Sequence, residues 1–185
     1  MSDRAPPVRS SSVRVRSGQD EDEPRDDGAR LKLAGFRVGG GAYAIDIMRI
    51  KEVIDPRPHL VRRVPHAPAI VEGVIQLRGV VIPVVDLRKR FGVAIDPAVA
   101  RLEKLIIVSV RGRIVGLRVD GIIGELGVSA EAVRPAPSLL RPAGSTGTRG
   151  EFFSGVCRRG DEMVFVVNLD ALLEVPSRPG EEGEG

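Results

Sequence analysis

The sequence has no tryptophan, one tyrosine and five phenylalanines among 185 residues. Its core must therefore be aliphatic, and it has little with which to build the stacking platform that grips single-stranded nucleic acid. There is a single cysteine, Cys157, which excludes an internal disulfide. Set in an apolar strand pattern, it reads as a small buried hydrophobe rather than a reactive thiol. No apolar run approaches the ~20 residues needed to span a bilayer, and the charged N-terminus carries no apolar signal segment. A soluble, cytoplasmic protein without direct membrane insertion is expected. Neither sign of charge dominates: the net charge is +3 with 29% charged residues, without the basic stripe typical of nucleic-acid binders.

Catalytic and metal-binding sets are missing as well. His59 and His66 share one loop, at a spacing that is not a helical metal pair, with no cysteine or carboxylate cluster beside them. Ser109, Ser129 and Ser154 lack a nucleophile-elbow context. Gly39-Gly40-Gly41 is not followed by the Lys-Ser/Thr of a phosphate loop and reads as a hairpin turn. No cofactor, no metal and no enzymatic activity are expected.

The chain is rich instead in turn formers, with 22 glycines and 14 prolines, and these separate short β-branched runs. Gly73 to Phe91, GVIQLRGVVIPVVDLRKRF, is the organising stretch. Val80 to Val85 reads as a buried strand, with Pro83 placing it at an edge or a bulge. Asp86 then caps a single helical turn that Gly92 ends in the left-handed conformation. A second copy runs from Gly155 to Leu173, with Asn168 in place of Asp86. Phe36 to Ile47 likewise aligns without gaps on Val108 to Val119, each as strand, glycine-containing turn, strand. The chain thus reads as one β unit used twice.

Residues 1–30 carry arginines and then acidic residues with few apolar ones, and are expected to be a disordered charged tail. Residues 31–176 form the folded part, with pseudo-repeats at about 31–100 and 101–176, and 177–185 is an acidic glycine-rich tail. Within the folded part, Ile70 to Gly73 is read as a short helical turn, Ser129 as the cap of another, and Arg134 to Glu151 as a long loop. Regular short strands argue an all-β protein. Units of this size are small, so the two are expected to share a core.

GVIQLRGVVIPVVDLRKRFG, GRIVGLRVDGIIGEL, SAEAVRPAP and GDEMVFVVNLDALL, in this order, resemble the signature of the CheW family of chemotaxis coupling proteins. Ala44-Ile45-Asp46-Ile47 with Ile50-Lys51-Glu52-Val53 fits its first half, and the resemblance covers about Leu31 to Val175. It implies two SH3-like five-stranded β-barrels. It also implies an adaptor joining the cytoplasmic tips of chemoreceptors to a CheA-type histidine kinase, recruited to membrane-associated receptor arrays. Carried over by position, the receptor-binding groove between the barrels comprises Ile50, Glu52, Val53, Gly73, Arg78, Gly116 and Ile122, with Arg134 and Leu139 near a kinase contact. Arg78 and Glu52 are expected to pair beside the groove, with Gly79 allowing the tight turn that aims the arginine. The competing reading is a small nucleic-acid-binding β-barrel, motivated by Arg57, His59, Arg62, Arg63 and the arginine-rich tail.

Overall fold

The computed structural model describes residues 30–136 and 152–174. Arg30, expected to end the N-terminal tail, opens β1 instead; the rest of the expected tails, Leu139 and most of the loop after Arg134 lie outside the described residues. Ten strands form two five-stranded sheets. They are β1 (Arg30–Val38), β2 (Gly41–Asp46), β3 (Ile50–Ile54), β4 (Val71–Leu77), β5 (Val80–Asp86), β6 (Lys104–Val110), β7 (Arg113–Val119), β8 (Gly121–Ser129), β9 (Phe153–Arg159) and β10 (Glu162–Val167). Two short helices, α1 (Leu87–Phe91) and α2 (Leu169–Leu172), follow β5 and β10.

The first sheet runs β8-β1-β2-β10-β9 and the second β3-β6-β7-β5-β4. Among the described residues the ladders do not close into the expected barrels, so each sheet is an SH3-like sheet with two terminal strands. The order repeats when β1 and β2 are matched to β6 and β7, and β3, β4 and β5 to β8, β9 and β10. Each sheet therefore takes two strands from one repeat and three from the other. The chain crosses between sheets at Asp46 to Arg49, where Ile47–Arg49 form a 3₁₀ turn, and again at Asp120.

The repetition extends to register. The parallel pair Val84↔Gly116 in one sheet corresponds to Val166↔Ala44 in the other. Ile50↔Val108 corresponds to Ile122↔Phe36, each followed by a bulge. The isolated bridge Arg62↔Val74 corresponds to Arg134↔Val156. Gly73 and Gly155 lie under these bridges. A Cβ on Gly73 would stand 2.4 Å from the Arg62 carbonyl oxygen, and one on Gly155 2.5 Å from the Val133 side chain. Both positions need glycine because another segment of backbone crosses there.

Three apolar clusters hold the fold. Leu33, Ala44, Leu126, Cys157 and Val164 fill the first sheet's inner face. Ile75, Ile82, Val84, Leu105 and Ile107 fill the second's. A larger cluster between the sheets includes Phe36, Val38, Ile45, Ile106, Val108, Leu117, Phe152 and Leu172. The shared core is thus the main one. Each fully buried large side chain in it stabilises by about 1.5–3 kcal/mol relative to exposure. Tyr43 stacks with Phe36, Phe91 and Phe153, so the few aromatics are gathered at this junction. Burial raises the Tyr43 hydroxyl's pKa.

Three local expectations change. β5 is an interior strand between β7 and β4. Pro83 is accommodated because the pairing with β7 begins one residue later, at Val84. Val71 to Gly73 belong to β4, not to a helical turn. The turn after Ser129 is a 3₁₀ turn over Ala130–Ala132, which the Ser129 side chain does not cap. Asp86 and Asn168 do cap α1 and α2, accepting from the amides of Arg88 and of Asp170 and Ala171.

Candidate functional site

β3 and β8 occupy equivalent ends of the two sheets and carry four of the seven candidate groove residues. Ile50 is half-buried and packs against the shared core. After the bulge at Lys51, Val53 is 44% exposed. Ile122, in the position on β8 equivalent to Ile50, is also 44% exposed. The equivalence is therefore broken where it matters for a ligand: one isoleucine serves the core and the other faces solvent.

Glu52 and Arg78 meet. Arg78 donates from both terminal nitrogens to the two Glu52 carboxylate oxygens, at 3.0 and 2.8 Å. This is the bidentate geometry in which a planar guanidinium matches a carboxylate. Arg78 and Gly79 make the β4–β5 turn at φ +49° and +83°. Arg78 itself, not only the glycine, sits in the left-handed region, where a residue with a Cβ is held at some cost. The pair joins the tip of the β4–β5 hairpin to β3 at the opposite end of the same sheet. Gly73 and Gly116 are buried and present no side of their own to a ligand. Gly73 allows the Arg62 segment to pass over it, and Gly116 faces Ile107 and Val84 in the inner core.

Arg134 lines a second feature. With Ala132, Pro135, Val156, Cys157, Arg158 and Met163 it forms a largely apolar cleft of about 480 Å³ beside the edge strand β9. The equivalent place beside β4 is also a cleft, about 350 Å³, lined among others by Leu60, Arg62, Val74, Ile75 and Val81. Cys157 forms the floor of the larger one, 2% exposed, and burial raises its thiol pKa.

A network of buried charge lies between α1, β4, β7 and the residues before β6. Arg88, with its side chain 3% exposed, pairs with Asp86 at 2.8 Å, with Glu103, and with Asp120 at 3.3 Å. Arg118 pairs with Glu103 at 3.2 Å and Glu72 at 2.9 Å. Asp120 also accepts from the Gly39 amide, 2.6 Å away in the β1–β2 turn of the other sheet. The hydrogen bond to Asp86, against the opposing effect of burial and with help from Glu103, pushes the Arg88 pKa upward. Asp-Leu-Arg after a strand is the only sequence signal, and it reads equally well as a cap followed by a solvated arginine.

Comparison with known proteins agrees with this architecture. Residues 32–177 match the family described as CheW-like domain. The chemotaxis protein CheW of Rhizobium meliloti is 35% identical over 154 residues, covering 83% of this chain and 90% of the relative. CheW of Treponema pallidum is 32% identical over 147 residues, covering 78% and 82%. The crystal structure of the scaffolding protein TtCheW from Thermoanaerobacter tengcongensis superposes with a TM-score of 0.67 at 29% identity, covering 80% of this chain and 95% of that one.

Proposed function

The chain belongs to the CheW-like domain family, and from that premise we propose a non-enzymatic adaptor that couples chemoreceptor tips to a CheA-type histidine kinase. The observation that carries this reading at the level of residues is the exposure of apolar side chains on the two equivalent terminal strands, Val53 on β3 and Ile122 on β8, with the Glu52–Arg78 fork next to Val53 on β3. Exposed aliphatics can accept the apolar face of a helix, and a charged rim gives the contact its register. The receptor site comprises Ile50, Glu52, Val53, Arg78 and Ile122 as the surface, with Gly73 and Gly116 setting the backbone beneath it.

The kinase is proposed to dock at the cleft lined by Arg134, and Leu139, further along the chain, is proposed as a second kinase-binding residue. An apolar cleft beside a terminal strand, which Arg134 bridges at Val156, suits a protein domain better than a small charged ligand. Recruitment to membrane-associated receptor arrays would follow from the receptor contact. Among the described residues no helix is long and apolar enough to cross a membrane. A chemoreceptor cytoplasmic fragment and a CheA-type kinase, mixed with and without this chain, test the reading by kinase autophosphorylation. The chain should make it receptor-dependent; kinase activity indifferent to the chain would reject the function.

A further inference from the structure

The two crossovers between the sheets lead directly into the two proposed groove strands, and they are built differently. At the second, Asp120 precedes β8 and Ile122. Its carboxylate bridges Arg88, packed against the second sheet, and the Gly39 amide of the first sheet's β1–β2 turn. Its own amide donates to the Arg37 carbonyl, also on the first sheet, at 2.9 Å. One residue thus ties both sheets together at the point where β8 begins.

The first crossover, preceding β3 and Ile50, supplies an internal control. The positions equivalent to Glu72, Asp86, Arg88 and Arg118 are Ser154, Asn168, Asp170 and Asp46. They line an open cleft of about 180 Å³ together with Arg49, and among the described residues neither Arg49 nor Arg111, which pair with Asp170 there, is buried as Arg88 is. The crossover is held by Arg49 on Asp170 at 3.5 Å, with Arg111 on the other Asp170 oxygen at 3.0 Å, all partly exposed. The same fold is therefore completed at one end without a buried charge network, so folding alone does not call for it at the other. Well-packed apolar residues would fill a buried site at least as favourably, whereas an Arg88 guanidinium bonded at once to Asp86, Glu103 and Asp120 fixes one geometry.

We infer that Arg88 is a positioning residue for the proposed receptor groove: through Asp120 it sets where β8, and with it Ile122, stands relative to the second sheet. This rests on the adaptor reading for its functional consequence, but the geometry can be measured separately. Asp120→Asn keeps the size and turns an N–H₂ toward one of the two donors, Arg88 or Gly39, that the carboxylate serves together. Arg88→Lys keeps the charge and loses the fork.

The test uses the full chain with Cys157→Ala, spin-labelled at Lys51→Cys on β3 and Glu125→Cys on β8, both exposed. The label-to-label distance is measured, and affinities for a chemoreceptor cytoplasmic fragment and for a CheA-type kinase are titrated. The parent should give one narrow distance. Asp120→Asn and Arg88→Lys should each shift or broaden it and weaken receptor-fragment binding about tenfold, with kinase affinity held within about twofold. An unchanged distance in both variants overturns the inference. So does equal loss of both affinities, or loss of the β signature in circular dichroism by Asp120→Asn, since the network would then only hold the fold. If the parent itself fails to bind the receptor fragment, the adaptor reading fails, while the distance measurement still decides whether Arg88 and Asp120 position β8.

Discussion

Glu52 and Arg78 illustrate what can be read from single residues. Their pairing follows from the family resemblance and the turn chemistry at Gly79, and the two side chains do form a fork. Arg78 is 77% exposed in its side chain, so the pair contributes only about 0–1 kcal/mol to folding. Glu52→Arg and Arg78→Glu should each lower receptor-dependent kinase activation with little change in melting temperature, and the double exchange should restore part of it. A double-mutant cycle without coupling would remove the pair from the mechanism. Gly73 behaves in the opposite way. Gly73→Ala should destabilise by about 1–3 kcal/mol in denaturant melts, because the Arg62 carbonyl occupies the place of the new methyl. Cys157 should resist a thiol-alkylating reagent in the native protein and react on unfolding, since burial both hides the thiol and raises its pKa. Neither the crowding at Gly73 nor the Arg88 network was legible in the sequence. Both depend on which distant segment lies opposite, and a local pattern does not carry that information.

At the scale of elements, the strand–cap–turn units were legible because their causes are local. β-Branched runs, Asp86 or Asn168 at the helix start and a glycine at the C-cap of α1 act within a few residues. Pro83 misled for the complementary reason. An ideal ladder would exclude it from an interior strand, whereas β5 acquires its second neighbour only from Val84 onward. β3 and β8 show how equivalent strands diverge in use. Ile122→Asp should leave the fold intact and abolish receptor-fragment binding, because a charge is tolerated on a free surface and costly in a desolvated contact. Ile50→Asp should also lower the melting temperature, because Ile50 packs on the shared core. Equal thermal effects of the two substitutions would show that the difference in exposure has no energetic meaning.

For the whole molecule, the duplication read from the sequence has a consequence that it did not announce: the repeats exchange strands, and neither sheet belongs to one half of the chain. The largest apolar cluster lies between the sheets. Unfolding should therefore be a single cooperative transition, with calorimetric and van't Hoff enthalpies equal. Separate fragments cut near residue 100 should lack stable β structure and recover it on mixing. The proposed adaptor role uses the same construction, with the proposed receptor surface on β3 and β8 and the proposed kinase cleft beside β9 carried on one body. The most direct measurement is retention of a CheA-type kinase on an immobilised chemoreceptor cytoplasmic fragment. The kinase should be retained strongly only when this chain is added, and Ile122→Asp should release it. Retention that is the same with the chain, without it and with Ile122→Asp would contradict the account.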